Sequence, residues 1–208
     1  MRSTAQRQVA ANDHAAVLKI WAKRHRDLAR SRNQVACRLH AVLCDLLPGG
    51  GAGEITASRA ARNLDQAAPE TAAAAARCDL ATEFLADLRR LDGQRRECAT
   101  KLAAAVRACG TSLTGLFGVG PVIAGLVIGD VADVTRFPGR SHFAAYNGTA
   151  PVEVSSGGRK VHRLSLRGNR RLNHAIHMAA ITQIRHKHSG GRAYYWSHPS
   201  FMHTRLLV

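Results

Sequence analysis

Residues 13–47 read DHAAVLKIWAKRHRDLARSRNQVACRLHAVLCDLL and decide the class of the fold. Their apolar side chains form two neighbouring rows with a seven-residue period: Trp21, Leu28, Val35 and Val42 on the first, and Leu18, Leu39 and Leu46 on the second. Such a period places the side chains along one stripe of a helix. Pro48 and a glycine-rich run to Gly53 end the pattern. The stretch therefore predicts one long amphipathic helix.

A second long helical pattern covers about residues 70–108. Its apolar rows are Phe84, Leu91, Cys98 and Ala105, and Leu88, Leu102 and Cys109. Between the two patterns, Thr56–Gln66 predicts a short helix with Thr56 or Ser58 as its N-cap. Two such helices predict an antiparallel helical hairpin over 13–109, a coiled-coil-like arm. A plain bundle core and a surface for forming a homo-oligomer are both open interpretations of the arm.

The charge of the 208-residue chain is uneven. Its 30 Lys/Arg and 14 Asp/Glu give a formal net charge of +16. Residues 1–100 hold 16 basic and 11 acidic side chains, residues 101–153 hold 4 and 3, and residues 154–208 hold 10 and none. This excess at the C-terminal end predicts a polyanionic partner, most simply DNA.

Membrane and secreted classes are not favoured, because the sequence shows neither a run of about eighteen apolar residues nor a signal-peptide pattern. We expect a cytoplasmic, nucleoid-associated protein. The five cysteines are odd in number and lack a C-x-x-C spacing, so we expect reduced thiols and no zinc site. No cofactor is predicted for this chain. Asp130 and Asp133 are possible metal ligands, but Asp133 is more simply the N-cap of a turn.

Gly118-Val119-Gly120-Pro121, followed by an apolar helix to Val131, is typical of a helix-hairpin-helix turn. Gly118 and Gly120 would let the chain turn sharply and present backbone N–H groups to a phosphate at the start of the next helix. Such a turn contacts the nucleic-acid backbone without reading sequence. The alternative is a glycine-containing turn between two packed helices.

Ser155-Ser156-Gly157-Gly158 precedes a dense basic segment without acids: Arg159, Lys160, Arg163, Arg167, Arg170 and Arg171. Glycines without a Cβ let a phosphate approach backbone amides. A serine beside them could act as a nucleophile, provided that cationic groups stabilise the developing charge. The alternative is a surface turn with a solvated basic face.

The remaining pattern completes a mainly α fold with at most one short β-hairpin. We predict short β segments near Val152–Val154 and Lys160–Leu164 and a helix over Ser141–Asn147 that ends at Gly148. A stronger helix over Asn169–His186 should turn these residues inward: Leu172, Ile176, Ala179, Ala180 and Ile184. The predicted domains are a disordered N-terminus (1–12), the arm (13–109), a compact helical domain (110–195) and an irregular tail (196–208).

Seven segments carry a resemblance to a known family: LFGVGPVIA (116–124), DVTRF (133–137), FAAYNGTAP (143–151), SSG (155–157), HRLS (162–165), GNRR (168–171) and GRAYY (191–195). In order and spacing they resemble the C-terminal domain of insertion-sequence transposases of the "one-ten" family. The helical arm is similar in position and pattern to the coiled-coil region of that family.

The resemblance implies a DNA recombinase that moves a mobile element, with DNA and a guide RNA as partners. It implies an N-terminal RuvC-like domain with metal-binding carboxylates and a C-terminal serine that becomes joined to a DNA phosphate. Carried over to this chain, the serine is Ser156, with Ser155 as the second candidate. The six basic residues of the dense segment would then neutralise the scissile phosphate and its neighbours.

The chain also departs from the family pattern. No stretch before residue 13 could supply a RuvC-like domain, so any divalent metal would belong to that missing part, and the residues after Tyr195 do not continue as a basic helix. We therefore expect a truncated copy without autonomous transposition. The second function class that stays open is a non-catalytic nucleic-acid-binding protein that uses the helix-hairpin-helix turn and the basic helix alone.

Overall fold

The computed structural model describes residues 13–47, 55–156, 159–165 and 167–197. This part of the chain is mainly α, as predicted. Its helices are α1 (Asp13–Leu46), α2 (Ala57–Asp65), α3 (Ala72–Ala108), α4 (Pro121–Val131), α5 (Arg140–Asn147), α6 (Arg170–Arg185) and α7 (Gly190–Ser197). Its strands are β1 (Pro151–Ser156) and β2 (Arg159–Leu164). Short 3-10 turns cover Leu113–Gly115 and Val134–Arg136.

Two compact units divide the described chain. The arm unit is Lys23–Lys101, and the terminal unit contains the described residues up to Ala22 and from Leu102 onward. The sequence placed the division between residues 109 and 110 instead. The first turns of α1 and the last turns of α3 belong to the terminal unit because their apolar residues pack with Ala124 of α4: Leu18, Ala22, Leu102 and Val106.

The core of the arm unit comes from three helices and from Ile55, two residues before α2. Its buried residues are Ala36, Leu39, Leu43, Ile55, Ala60, Ala81, Leu85 and Leu88. Complete burial of one leucine side chain stabilises a fold by about 1.5–3 kcal/mol. Arg32 Nε lies 3.1 Å from Asp92 Oδ1, and Arg77 Nε lies 3.8 Å from Asp45 Oδ2. Because the partner on α3 moves back from Asp92 to Arg77 as the residue on α1 advances from Arg32 to Asp45, the two helices run antiparallel in this unit.

The short helix α2 begins where the sequence predicted it. Thr56 Oγ1 accepts a hydrogen bond from the Arg59 amide at 3.2 Å, which makes Thr56 the N-cap. A capping side chain satisfies one of the amides that lack an intrahelical partner, and its loss costs about 1 kcal/mol. Of the two predicted caps, Thr56 is the one used.

In the terminal unit, α6 packs against α4, α5 and α7. Glycines of α4 permit close contacts, because a Cβ on Gly125 would lie 2.7 Å from Leu102 Cδ1 and one on Gly129 would lie 2.7 Å from the backbone nitrogen of Lys19. Leu172 of α6 is fully buried, as predicted.

Two expectations for the terminal unit were wrong. Ala180, predicted to face inward, is exposed, because α6 is apolar along a narrower stripe centred on Leu172 and Ala175. Trp196 and Ser197, predicted as tail, form the last residues of α7, which packs on α6. No helix in the described residues is both long and apolar enough to cross a bilayer.

Candidate nucleic-acid interface

The segment with the candidate nucleophile forms an antiparallel β-hairpin. Its register pairs Ser156 with Arg159 and Ser155 with Lys160. Directly paired residues of antiparallel strands have Cα atoms about 4.5–5.5 Å apart, so each serine has a basic residue as its cross-strand neighbour. Gly157 and Gly158, predicted to contact phosphate, lie outside the described residues. For the two serines and their two partners the structure describes the backbone and not the side chains.

The base of the hairpin is closed by two glycines. Gly148 ends α5 in the left-handed region with φ 78°. A Cβ on Gly168 would collide with the backbone nitrogen and Cα of Gly148 and would lie 2.8 Å from the carbonyl carbon of Asn147. The Asn169 amide donates to the Tyr146 carbonyl oxygen at 2.7 Å. The chain therefore leaves the helical core after Gly148 and returns to the same place at Gly168.

Directly after Gly168 and the N-cap Asn169, α6 begins with two of the predicted DNA-binding residues, Arg170 and Arg171. Asn169 Oδ1 accepts hydrogen bonds from the amides of Arg171 and Leu172, both at 3.2 Å, so Asn169 is the N-cap. Arg170, the first residue of the helix, is exposed. The N-cap thereby fixes the first turn of α6 and so the backbone positions of Arg170 and Arg171.

Arg171 is tied to a buried carboxylate. Its Nη2 lies 3.2 Å from Asp130 Oδ1, and the Asp130 side chain is only 5% exposed. Asp130 Oδ2 is buried without a hydrogen-bond partner in the described structure. This aspartate therefore neutralises Arg171 in part and holds its guanidinium beside α4. Of the two arginines, Arg170 is the one whose charge faces solvent without such a partner.

Tyr146 joins these elements. Its hydroxyl donates to the Asp130 carbonyl oxygen at 3.2 Å and accepts from Asn169 Nδ2 at 3.4 Å. The guanidinium of Arg136 lies 4.5 Å from the centre of the Tyr146 ring and 4.7 Å from that of Phe137. Burial raises the pKa of the Tyr146 hydroxyl, but the Asn169 hydrogen bond and Arg136 outweigh burial, so the pKa is lowered overall. Sequence reasoning missed this tyrosine, and no spacing in the sequence marks it.

Gly118 and Gly120, paired by the sequence as phosphate-binding glycines, have different surroundings. Gly118 has φ 82°, and a Cβ there would lie 2.8 Å from the Ala179 carbonyl oxygen of α6. Gln183 Nε2 donates to the Phe117 carbonyl oxygen at 2.8 Å and fixes the same contact. Packing on α6 is therefore sufficient to explain Gly118. Gly120 is the N-cap of α4, and a Cβ there would meet nothing within 4 Å.

The exposed basic side chains of the terminal unit are spread over several elements. Among the basic residues that the sequence predicts to contact DNA, Arg163 of β2, Arg167 and Arg170 are exposed. Sequence reasoning did not include Arg136 and Arg140, which are also exposed. Exposed arginines present paired donors that match phosphate oxygens.

These features define the class: a basic, mainly helical domain that carries a serine-containing hairpin and a helix that begins with two arginines. Residues 110–196 match the model of the family described as Transposase IS116/IS110/IS902 family. The matched segment is therefore similar to the transposases of insertion sequences, and it coincides closely with the predicted domain at 110–195. A search of the curated proteins finds no match.

Proposed function

We propose that this chain is a DNA-binding transposase of an insertion sequence and that Ser156 is the nucleophile that joins it to DNA. The observation that carries the proposal is the family match over residues 110–196, because the matched segment contains the hairpin with both candidate serines. The hairpin register is compatible with either serine, because Ser156 pairs with Arg159 and Ser155 with Lys160, and a cation beside a hydroxyl favours the charged transition state of phosphoryl transfer. The choice of Ser156 comes from the resemblance, in which the serine directly precedes the glycine.

The proposed chemistry is a reversible transesterification. The Ser156 hydroxyl oxygen forms a bond to a DNA phosphorus, the bond between that phosphorus and one deoxyribose oxygen breaks, and the hydroxyl proton passes to the departing oxygen through a base or water. The reverse step rejoins a strand and releases the serine. The negative charge on the phosphate oxygens is stabilised by arginine side chains near the hairpin, of which Arg163 and Arg167 are exposed.

The rest of the matched domain would hold DNA without reading its sequence. Arg170 at the start of α6 and the free amides of the first turn of α4 after Gly120 are suited to backbone phosphates. Gly118 contributes to this surface through its packing on α6. Binding of this kind depends steeply on salt, because each neutralised phosphate releases counterions.

The proposal includes partners beyond DNA. A guide RNA is what the resemblance implies, and a homo-oligomer formed through the helical arm is what the seven-residue period of the arm suggests. A cytoplasmic location beside nucleoid DNA follows from the proposed DNA binding. Divalent metal would be held by a RuvC-like domain. In the described residues no three His, Cys, Asp or Glu side chains lie together as metal ligands would, and no step is assigned to a metal here.

A covalent-adduct assay tests the nucleophile. The chain is incubated with a labelled branched DNA substrate, with a RuvC-like domain from an intact relative supplied as a fusion, and adducts are separated under denaturing conditions. We expect Ser156→Ala to abolish the adduct while DNA binding persists, and Ser155→Ala, the matched control one residue away, to retain most of it. Equal adduct formation by Ser156→Ala and the parent would remove Ser156 from this role.

The non-catalytic alternative rests on the basic helix and on the Gly120 turn. It predicts the same salt-dependent DNA binding and no adduct with any variant. A fusion that binds the branched DNA tightly but never becomes joined to it would favour this alternative.

A further inference from the structure

The arm unit contains an open pocket of about 500 Å³ outside the matched transposase segment. Its walls are the start of α2 with its N-cap, one face of α3 and a histidine of α1. The described polar residues of its lining are His25, Thr56, Ser58, Arg89, Asp92, Arg95 and Arg96. Arg89, Asp92 and Arg96 share one face of α3 because they are spaced by three and four residues. We call this the arm pocket.

The charge of the arm pocket is unbalanced. Asp92 is the only acid among the described residues that line it, and Arg32, which is not one of those lining residues, already pairs with it at 3.1 Å. In the described part of the chain, Arg89 and Arg95 form neither a hydrogen bond nor an ion pair. Three guanidinium groups therefore line one cavity without a carboxylate of their own. The positive charges of guanidinium groups that line one cavity repel one another, and a bound anion would reduce this repulsion.

The start of α2 adds backbone donors to the same cavity. Arg32 Nη2 donates to the Ile55 carbonyl oxygen at 3.2 Å. This hydrogen bond holds the backbone just before α2 against the Arg32–Asp92 pair. Thr56 Oγ1 occupies the Arg59 amide, whereas the amides of Ala57 and Ser58 have no intrahelical acceptor in the first turn. The positive end of the helix and the arginines therefore favour the same kind of ligand.

We propose that the arm pocket binds a backbone phosphate of a nucleic acid. The described residues of the lining include no Trp, Tyr or Phe on which a base could stack, so its chemistry suits the sugar-phosphate chain rather than a nucleobase. The pocket is open to solvent. This site goes beyond the proposed function, whose DNA contacts lie in the terminal unit.

His25 provides a reporter inside the pocket. Burial and the charge of Arg95 lower the pKa of His25. The charged groups that line the pocket with it are Arg89, Arg95, Arg96 and Asp92, all on α3, and α2 contributes none. A bound phosphate would favour the imidazolium and raise the pKa. By linkage, phosphate binding should tighten as the pH falls through the His25 pKa.

The experiment is an NMR titration of the His25 imidazole in the full chain, assigned with His25→Gln, at constant ionic strength. The probes are sodium phosphate, sodium chloride as the reference, and short single-stranded DNA and RNA oligonucleotides. We expect phosphate and at least one oligonucleotide to raise the His25 pKa relative to chloride. The Arg89→Gln/Arg95→Gln variant should show no ligand-induced rise, whatever its starting pKa.

The matched control is Arg30→Gln/Arg38→Gln, which removes the same charge from exposed positions of α1 that do not line the pocket. It should keep the full ligand-induced rise. No rise in the wild-type chain with either oligonucleotide would overturn the proposal, as would a rise with inorganic phosphate alone, which would indicate a free-phosphate site. An equal loss in both double variants would also overturn it, by showing a general charge effect. Because no step involves Ser156 or DNA cleavage, the result is independent of the proposed transposase chemistry.

Discussion

Replacing Gly168 with alanine adds one methyl carbon where the start of α6 meets the end of α5. The new Cβ would collide with the backbone of Gly148 and lie 2.8 Å from the carbonyl carbon of Asn147. Its neighbours are backbone atoms, which cannot rotate away as a side chain can. The start of α6 must therefore shift, and the 2.7 Å hydrogen bond from the Asn169 amide to Tyr146 must lengthen.

The cost can be estimated from these two effects. Overpacking of this kind costs about 1–3 kcal/mol, and weakening the hydrogen bond adds about 1 kcal/mol. We expect Gly168→Ala to lower the free energy of unfolding by about 2–4 kcal/mol. The control is Gly139→Ala, because Gly139 has an extended backbone and a Cβ there would meet nothing within 4 Å. That change should cost about 1 kcal/mol or less, because Gly139 is the N-cap of α5 and alanine is a poorer N-cap than glycine.

Tryptophan fluorescence during urea unfolding is the assay, because the two tryptophans of the chain, Trp21 and Trp196, both belong to the terminal unit. The midpoint should fall clearly for Gly168→Ala and stay near that of the parent for Gly139→Ala. In a thermal scan the Tm should fall by about 2–4 °C for each kcal/mol lost. Indistinguishable midpoints for the two variants would refute the close backbone contact.

Three further predictions concern the same domain. In urea unfolding, Gly118→Ala should lower the free energy of unfolding by about 2–3 kcal/mol, since it combines φ 82° with a 2.8 Å approach to an α6 carbonyl. Gly120→Ala should lower it by about 1 kcal/mol or less, the cost of a poorer N-cap for α4. Tyr146→Phe should cost about 1 kcal/mol at neutral pH through lost hydrogen bonds. The pKa of Tyr146 is lowered in the folded protein. The wild type should therefore gain further stability over this variant as the pH rises through that pKa towards about 10, and should lose this gain as the pH falls again. An equal difference between the two urea midpoints below and above that pH range would contradict the reasoning. Arg170→Gln should reduce the slope of log K against log salt for duplex DNA by about 0.9, and Arg171→Gln by less, because its charge is already paired; equal reductions in an anisotropy titration would contradict that assignment.

The sequence was sufficient for the helices because their signals are local. The seven-residue rows predicted α1 and α3, Thr56 predicted the start of α2, and Gly148 predicted the end of α5. The predicted apolar rows did not, however, include every residue that α1 and α3 bury. Leu43 and Leu85 are buried although they lie off the predicted rows, because α2 covers a wider stripe of both long helices than a two-helix seam would.

The contacts that shape the candidate interface could not be read from spacing. Asp130 and Arg171 are forty-one positions apart, and only the packing of α4 on α6 brings them together. The same packing explains Gly118, whose left-handed backbone the sequence could suggest but whose partner on α6 it could not. The assignment of Ser156 stays a prediction, since it depends on side-chain chemistry with DNA.

Because of the contact between Gly148 and Gly168, the segment with the candidate serines can change in length without changing the helical core. The chain between these glycines forms a segment whose two ends are in contact. It contains both candidate serines and four of the six basic residues of the dense segment. A loop with fixed ends adds only slowly to the entropy cost of folding as it lengthens. Insertions and deletions between the glycines can therefore accumulate at little expense to the helical core.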